Sequence, residues 1–374
     1  MNPSALTLAL VESPVQLLNV LEWAHARGGA GPRLSAVPRQ PGPGRTAADA
    51  GELHIVVLPP TDPMSRGQLR RVAGIARDQG HTVRWQEARG GSGSPLGALA
   101  ALAPAVRRAQ RIVIGDPFSR FLQLLLVPAR PAELVVVDDG TATLEFVAQL
   151  GRGERLRRWH RTGGGLASRA RELAYAPVSG TARRRLTPRE GRRTVELFTS
   201  MPLTPPPGAR LRVNDFAWTR ARFGPPRLTR GTDLVGTSLV ETGVVDPFRY
   251  LDAVRALARE HGVTRYFAHR RESPEKLRAL SEATGLEIVR PDLPLELIAR
   301  KGPIGRTVVS FPSTVVHTLP YALTGTGVTV AVCGIDPAWL TATASPRARG
   351  FLAGVSDTAR DVRRLPLRTA PAAG

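Results

Sequence analysis

The chain has 374 residues, 42% of them hydrophobic, a single cysteine, and 52 basic against 31 acidic side chains for a formal charge of +21 at neutral pH. That composition excludes a wholly disordered chain, and the lone Cys333 excludes an internal disulfide or a cysteine-built zinc site, which fits a reducing compartment. No apolar run reaches the roughly 18 to 20 residues of a membrane-spanning helix. The N-terminal MNPSALTLALVESP has neither a basic residue ahead of its apolar stretch nor a small-residue cleavage site, so a soluble, cytoplasmic protein is expected.

In chain order, LTLALV (6–11), HIVVLPP (54–60), HTVRW (81–85), RIVIGD (111–116) and ELVVVDD (133–139) read as strands. They are rich in valine and isoleucine without polar alternation, as expected of strands buried on both faces of a parallel sheet. Helical patterns lie between them over Pro14–Arg27, Ser65–Gln79, Pro95–Ala109 and Phe118–Leu126, and the repeated β-α-β order predicts a doubly wound sheet. From Gly151 to about Pro226 the chain is rich in Arg, Gly and Pro, and the prolines of MPLTPPPGARL (201–211) bar a helix or central strand. A second α/β pattern follows: DLVGTSL (233–239), a helix over Pro247–His261, RYFAH (265–269), a helix over Ser273–Thr284, EIVR (287–290), TVVSF (307–311), a helix from Ser313, and GVTVAVCG (327–334).

The expected division is a first domain over 1–200 with an Arg-rich segment at 151–195, a linker over 201–230, and a second domain over 231–345. A tail over 346–374 either crosses back to the first domain or stays partly disordered. At this length, two Rossmann-like α/β domains facing a central cleft are expected, the GT-B architecture, although other two-domain α/β enzymes share the pattern.

Nearly all the positive charge is arginine, with lysine only at Lys276 and Lys301. The densest run includes Arg157, Arg158, Arg161, Arg169, Arg171, Arg183, Arg184, Arg185, Arg192 and Arg193. Such a surface attracts polyanions by charge alone, and a solvated basic face explains it equally. Trp159 and Tyr175 are the only aromatics there, too few for base stacking, so an acidic glycan acceptor or an anionic membrane surface is expected rather than nucleic acid.

Several polar clusters fall at the carboxyl ends of predicted strands, where α/β proteins bind ligands. Ser13 and Pro14 form a good helix start on a turn read as facing the cleft, with ordinary capping as the plainer use. Asp138 and Asp139 precede Gly140. Adjacent carboxylates leaving a buried strand persist only if solvated, hydrogen-bonded or needed. One suits a general base toward an acceptor hydroxyl while the other is held by backbone donors. An Asp-Gly turn explains them equally, and a metal pair lacks a third oxygen ligand nearby.

YFAHRRESPEKL sets His269 beside Arg270 and Arg271, a pocket for an anion. The histidine can donate a hydrogen bond or a proton to a departing phosphate if its pKa lies near the working pH. In VVSFPSTVV, Ser313 and Thr314 open a helix whose free NH groups suit a phosphate, with plain N-capping as the alternative. Glu296, in RPDLPLELI, is expected on a short Pro-flanked loop suited to a ribose diol. Nothing matches G-x-G-x-x-G or a Walker loop.

In this order, SPVQLLNVLEW, DDG, GTSLVETGVVDPFRYL, HRRES with an EK following, P-x-E-L and FPST resemble the bacterial sialyltransferases of glycosyltransferase family 52 and the related capsule polysialyltransferases, over roughly residues 6–334. The resemblance implies a GT-B fold, a CMP-activated nonulosonic acid such as sialic acid or its deaminated relative Kdn as donor, no metal cofactor, and inversion at the anomeric carbon. By motif it puts the acidic pair on Asp138 and Asp139, with Asp138 favoured as base. It puts the phosphate-binding histidine on His269, the serine pair on Ser313 and Thr314, and the nucleotide-holding acid on Glu296. Arg270 stands where the family has proline, a change at the donor site, and Thr314 stands for the second serine. A transferase using another nucleotide sugar and a non-catalytic polyanion-binding protein are the alternatives.

Overall fold

A computed structural model describes residues 6–28, 52–89, 95–157 and 166–366. Arg158, Trp159 and Arg161 of the basic run lie outside the described residues, as do the side chains of Arg169 and Arg171 and positions 367–374 of the expected tail. The chain divides into two compact units, Met1–Asn214 and Asp215–Gly374.

The first unit is a seven-stranded parallel sheet in the order β3-β2-β1-β4-β5-β6-β7. Its strands are β1 (Thr7–Val11), β2 (Leu53–Val57), β3 (Thr82–Trp85), β4 (Arg111–Ile114), β5 (Glu133–Val137), β6 (Thr194–Thr199) and β7 (Arg210–Val213). Its helices are α1 (Pro14–Ala26), α2 (Pro63–Asp78), α3 (Pro95–Arg108), α4 (Arg120–Leu126), α5 (Thr141–Gly151) and α6 (Leu166–Leu186). Every residue of β1 is buried, as the unbroken apolar run requires. Side-chain caps start three helices: Ser13 accepts from the Gln16 NH at 3.2 Å, Asp62 from the Ser65 NH at 2.7 Å, and Ser119 from the Leu122 NH at 3.4 Å.

The basic segment departs from expectation. It supplies α6, a 21-residue helix carrying Pro177 inside it, and then β6, a strand interior to the sheet with five of six residues buried. The expected linker is also partly structured, because Arg210–Val213 pairs in parallel with β6 as the sheet's edge. The triple proline stays outside any strand, as its missing NH groups dictate.

The second unit is a six-stranded parallel sheet in the order β10-β9-β8-β11-β12-β13. It comprises α7 (Ala217–Arg222), β8 (Leu228–Val235), α8 (Pro247–His261), β9 (Val263–Phe267), α9 (Pro274–Thr284), β10 (Glu287–Val289), α10 (Leu295–Lys301), β11 (Ile304–Ser310), α11 (Val315–Ala322), β12 (Thr329–Cys333), α12 (Pro346–Thr358) and β13 (Arg363–Leu365). The expected linker thus also holds α7 and the start of β8. The tail neither crosses to the first unit nor lacks structure over its described part, since β13 pairs with β12, Ala331 opposite Arg363 and Cys333 opposite Leu365. Among the described residues no helix is long and apolar enough to cross a membrane.

Candidate active site

In the first sheet the strand order reverses between β1 and β4, which makes the carboxyl ends of those strands the place where a crevice opens. Ser13, just past β1, uses its hydroxyl as the α1 cap. Beside it Glu12 is buried, accepts from the Ser119 hydroxyl at 2.9 Å and pairs with Arg89. Burial, opposed by Arg89, raises the Glu12 pKa to about 7, and Asp116 at the end of β4 pushes in the same direction. The chain can pass close by there only as glycine, because a Cβ on Gly115 would overlap the Gln16 side chain that holds the Glu12 NH at 2.8 Å. Sequence reasoning missed Glu12, Arg89, Asp116 and Ser119. The signal was available, since Asp116 ends one predicted strand and Glu12 directly follows another.

Asp138, Asp139 and Gly140 form the turn between β5 and α5. Asp138 is 2% exposed, and its Oδ1 accepts from the Gly140 NH at 2.9 Å and the Thr143 hydroxyl at 2.8 Å. Burial raises its pKa, while hydrogen bonds from Thr143, Thr199, Gly140 and Ser200 pull the other way. Thr143 in turn accepts from the Asp139 NH at 3.1 Å, so one hydroxyl ties both aspartates to the first turn of α5. Asn19 on α1 donates to the Asp138 carbonyl at 2.9 Å and accepts from Asn214 at 2.9 Å. Asp139 is half-buried. Gly140 has φ +67° and ψ −129°, a conformation open to glycine, which explains the third residue of the motif.

In the second sheet the order reverses between β8 and β11. His269 lies two residues past β9, half-buried, with Arg270 half-buried and Arg271 exposed beside it. The Arg271 NH donates to the imidazole Nδ1 at 3.2 Å, which leaves Nε2 as the proton-bearing nitrogen of the neutral ring. Burial, then the charges of Arg270, Arg271 and Lys276, bring the His269 pKa down to about 4. In the free protein the ring is therefore a neutral hydrogen-bond donor at neutral pH, not the near-neutral acid the sequence reading asks for.

Under this turn sits a network that sequence reasoning did not assign. Glu272, 4% exposed, accepts from the His269 NH at 2.6 Å and the Tyr266 hydroxyl at 2.5 Å and pairs with Lys276 at 2.7 Å. Lys276 also donates to the Thr237 carbonyl at 3.0 Å, and Tyr266 shares a 2.7 Å bond with Tyr250. A Cβ on Gly236, at the end of β8, would run into the Glu272 carboxylate and the Tyr266 hydroxyl. The i, i+4 spacing of Glu272 and Lys276 was the legible sign.

Past β11, the Ser310 hydroxyl donates to the Phe311 carbonyl at 2.8 Å and lies 3.2 Å from the Ser313 hydroxyl. Thr314 starts α11 in the αR conformation without a side-chain cap, so plain N-capping is not its use. Glu296 is not on a loop but in the first turn of α10, 6% exposed, where it accepts from the Thr318 hydroxyl of α11 at 2.6 Å. Burial raises its pKa against that bond. Glu296 thereby meets α11 at Thr318, one turn past Thr314, and the carboxylate already has an internal donor. His317, also missed, is 5% exposed on this helix, and its Nε2 has no hydrogen-bond partner among the described residues.

No family model and no curated protein matches the chain. Among solved structures, it is similar to an α/β-galactoside α-2,3-sialyltransferase from the luminous marine bacterium Photobacterium phosphoreum, with a TM-score of 0.51 at 8% identity over 97% of this chain and 99% of that one. The chain has the GT-B fold. The E. coli heptosyltransferase WaaC, with ADP-2-deoxy-2-fluoro heptose, matches at a TM-score of 0.36 and 12% identity over 88% and 90% of the chains. Os79 from O. sativa, in complex with UDP, matches at 0.36 and 14% over 96% of each. In the GT-B frame Asp138 and Asp139 belong to the first Rossmann-like domain, and His269, Glu296, Ser313 and Thr314 to the second. Among the described residues no three of His, Cys, Asp and Glu are grouped to hold a metal ion.

Proposed function

We propose that this chain is an inverting, metal-independent glycosyltransferase that moves a nonulosonic acid from a CMP-activated donor to a glycan hydroxyl. The observation that carries the reading is the start of α11, where Thr314 has no side-chain cap bond and the Ser310 and Ser313 hydroxyls lie 3.2 Å apart just before it. A helix start with clustered hydroxyls suits a phosphate without a metal.

In this reading the acceptor oxygen attacks the anomeric carbon, the bond to the phosphate oxygen breaks, and CMP leaves with the bonding pair. The acceptor proton passes to Asp138, whose burial raises its proton affinity toward the range a base needs. His269 donates through Nε2 to the departing phosphate, and the phosphate's negative charge favours the protonated ring that the arginines oppose. The Glu272–Lys276 network holds the His269 turn in place. A second reading rests on the four donors around Asp138: they make it a strut, and Asp139 takes the proton.

The test is release of CMP from a CMP-sugar, beside release of UDP and GDP from UDP- and GDP-sugars, in excess chelator, with Asp138→Asn and Asp139→Asn beside the parent. Turnover of the CMP-sugar alone is expected, with one of the two variants slowed by about 100-fold or more. Equal mild losses would sink the base assignment, and turnover of another donor would sink CMP.

A further inference from the structure

The opposite end of the first sheet carries a second polar constellation. Arg193 immediately precedes β6, whose first residue Thr194 pairs with Glu133, the first residue of β5. Asp138 follows the last residue of that five-residue strand, so the two regions lie about 16 Å apart along it. Arg183, Arg184 and Arg185 fill the last turn of α6, where a helix's carbonyl end accommodates cations. That accounts for those three, but not for the arginines brought against them.

The guanidinium of Arg193 reaches back to the Arg184 carbonyl at 2.7 Å and the Thr187 carbonyl at 3.1 Å, and Arg189 bridges Arg193 through the backbone. Arg185 bonds the Val127 carbonyl at 3.4 Å, close to Arg130. Among the described residues no ion pair joins Arg130, Arg184, Arg185, Arg189 or Arg193 to a carboxylate, whereas Arg27, Arg66, Arg89 and Arg111 of the same unit all have one. The Nε atoms of Arg185 and Arg193 are buried without a hydrogen-bond partner among those residues. Burial and then the neighbouring arginines lower the proton affinity of both groups, so the cluster is strained by its own charge. Like charges gathered around unfilled donors are what an oxyanion relieves.

We propose that Arg130, Arg184, Arg185, Arg189 and Arg193 form a binding site for phosphate oxyanions on the first unit, separate from the DDG turn. The oxygens come from a lipid headgroup or from a free phosphate, and the same guanidinium chemistry serves both. The site stands apart from the proposed transferase reaction and does not depend on it.

Cosedimentation of the full chain with phosphatidylcholine vesicles containing phosphatidylglycerol, and calorimetry with inorganic phosphate and pyrophosphate, test the site. The variants are Arg185→Gln/Arg193→Gln, the exposed pair Arg184→Gln/Arg189→Gln, and a charge-matched control, Arg107→Gln/Arg108→Gln on α3. Both cluster variants are expected to bind the responsive probe about 10-fold or more weakly, the control within about 3-fold of the parent. A response to vesicles alone identifies the headgroup, and one to phosphate or pyrophosphate the free ion. Melting temperature separates loss of a site from loss of fold: Arg185→Gln/Arg193→Gln gives up bonds to the Arg184, Thr187 and Val127 carbonyls, whereas the exposed pair gives up none of these and should melt with the parent. Equal weakening in all three variants, or no binding of any probe by the parent, overturns the proposal.

Discussion

Glu12 shows how far one side chain is governed by its place in the sheet. Its folded carboxyl keeps the proton to about pH 7, against about 4.5 for a free glutamate. Between those values the folded state binds more protons than the unfolded state, so this group lowers stability as pH rises, by on the order of 3 kcal/mol at most. His269, held down to about 4, works the other way: it lends stability as pH rises from about 4 toward 6.5. Subtracting a Glu12→Gln variant from the parent cancels the histidine. Urea unfolding at pH 5, 6, 7 and 8 should show the parent losing stability relative to the variant up to pH 7 and no further. A constant difference across that range would show that Glu12 ionises normally.

At the scale of elements, the turn that opens α11 is anchored by Phe311, fully buried, with ring centroids 5.1 Å from Tyr250 and 6.5 Å from Trp339. Phe311→Ala should cost about 3 to 5 kcal/mol and weaken nucleotide binding through the displaced serines, measured by urea unfolding and calorimetry. A loss under about 1 kcal/mol would mean the turn is held from elsewhere.

Ten of the strands were legible because parallel strands buried in a sheet read as apolar runs, and the helices between them because amphipathic patterns separate those runs, while β13, α5, α10 and α12 were not read. Nor was the segment from 166 to 213. Pro177 argues against α6, and Glu196 inside TVELFT and the prolines before β7 mask two strands whose pairing is set by tertiary contacts. Glu296 misled in the same way: flanking prolines read as a loop, but Pro294 precedes a short helix. Of the candidate site, the DDG, HRRES and FPST residues stood out by their positions after strands. Glu12 and Glu272 carried only a positional sign and His317 none, since burial and missing partners are properties of packing.

At the scale of the molecule, each unit carries its own parallel sheet, and the second is completed by the chain's last described strand. β13 covers the edge of β12 and buries Leu365. Ending the chain after Arg360 should expose that edge, cost about 2 kcal/mol or more in the unfolding of the second unit, and promote aggregation. Unchanged stability would show that β13 contributes nothing to it.

The central claim is that the second unit holds CMP through His269 and the start of α11. Calorimetric titration of the purified chain with CMP, UMP and GMP, repeated on His269→Ala, tests it most directly. Selective binding of CMP, weakened about 10-fold or more in the variant, is the expected result. Binding with no preference among the three nucleotides, or CMP affinity untouched by the loss of His269, would contradict it.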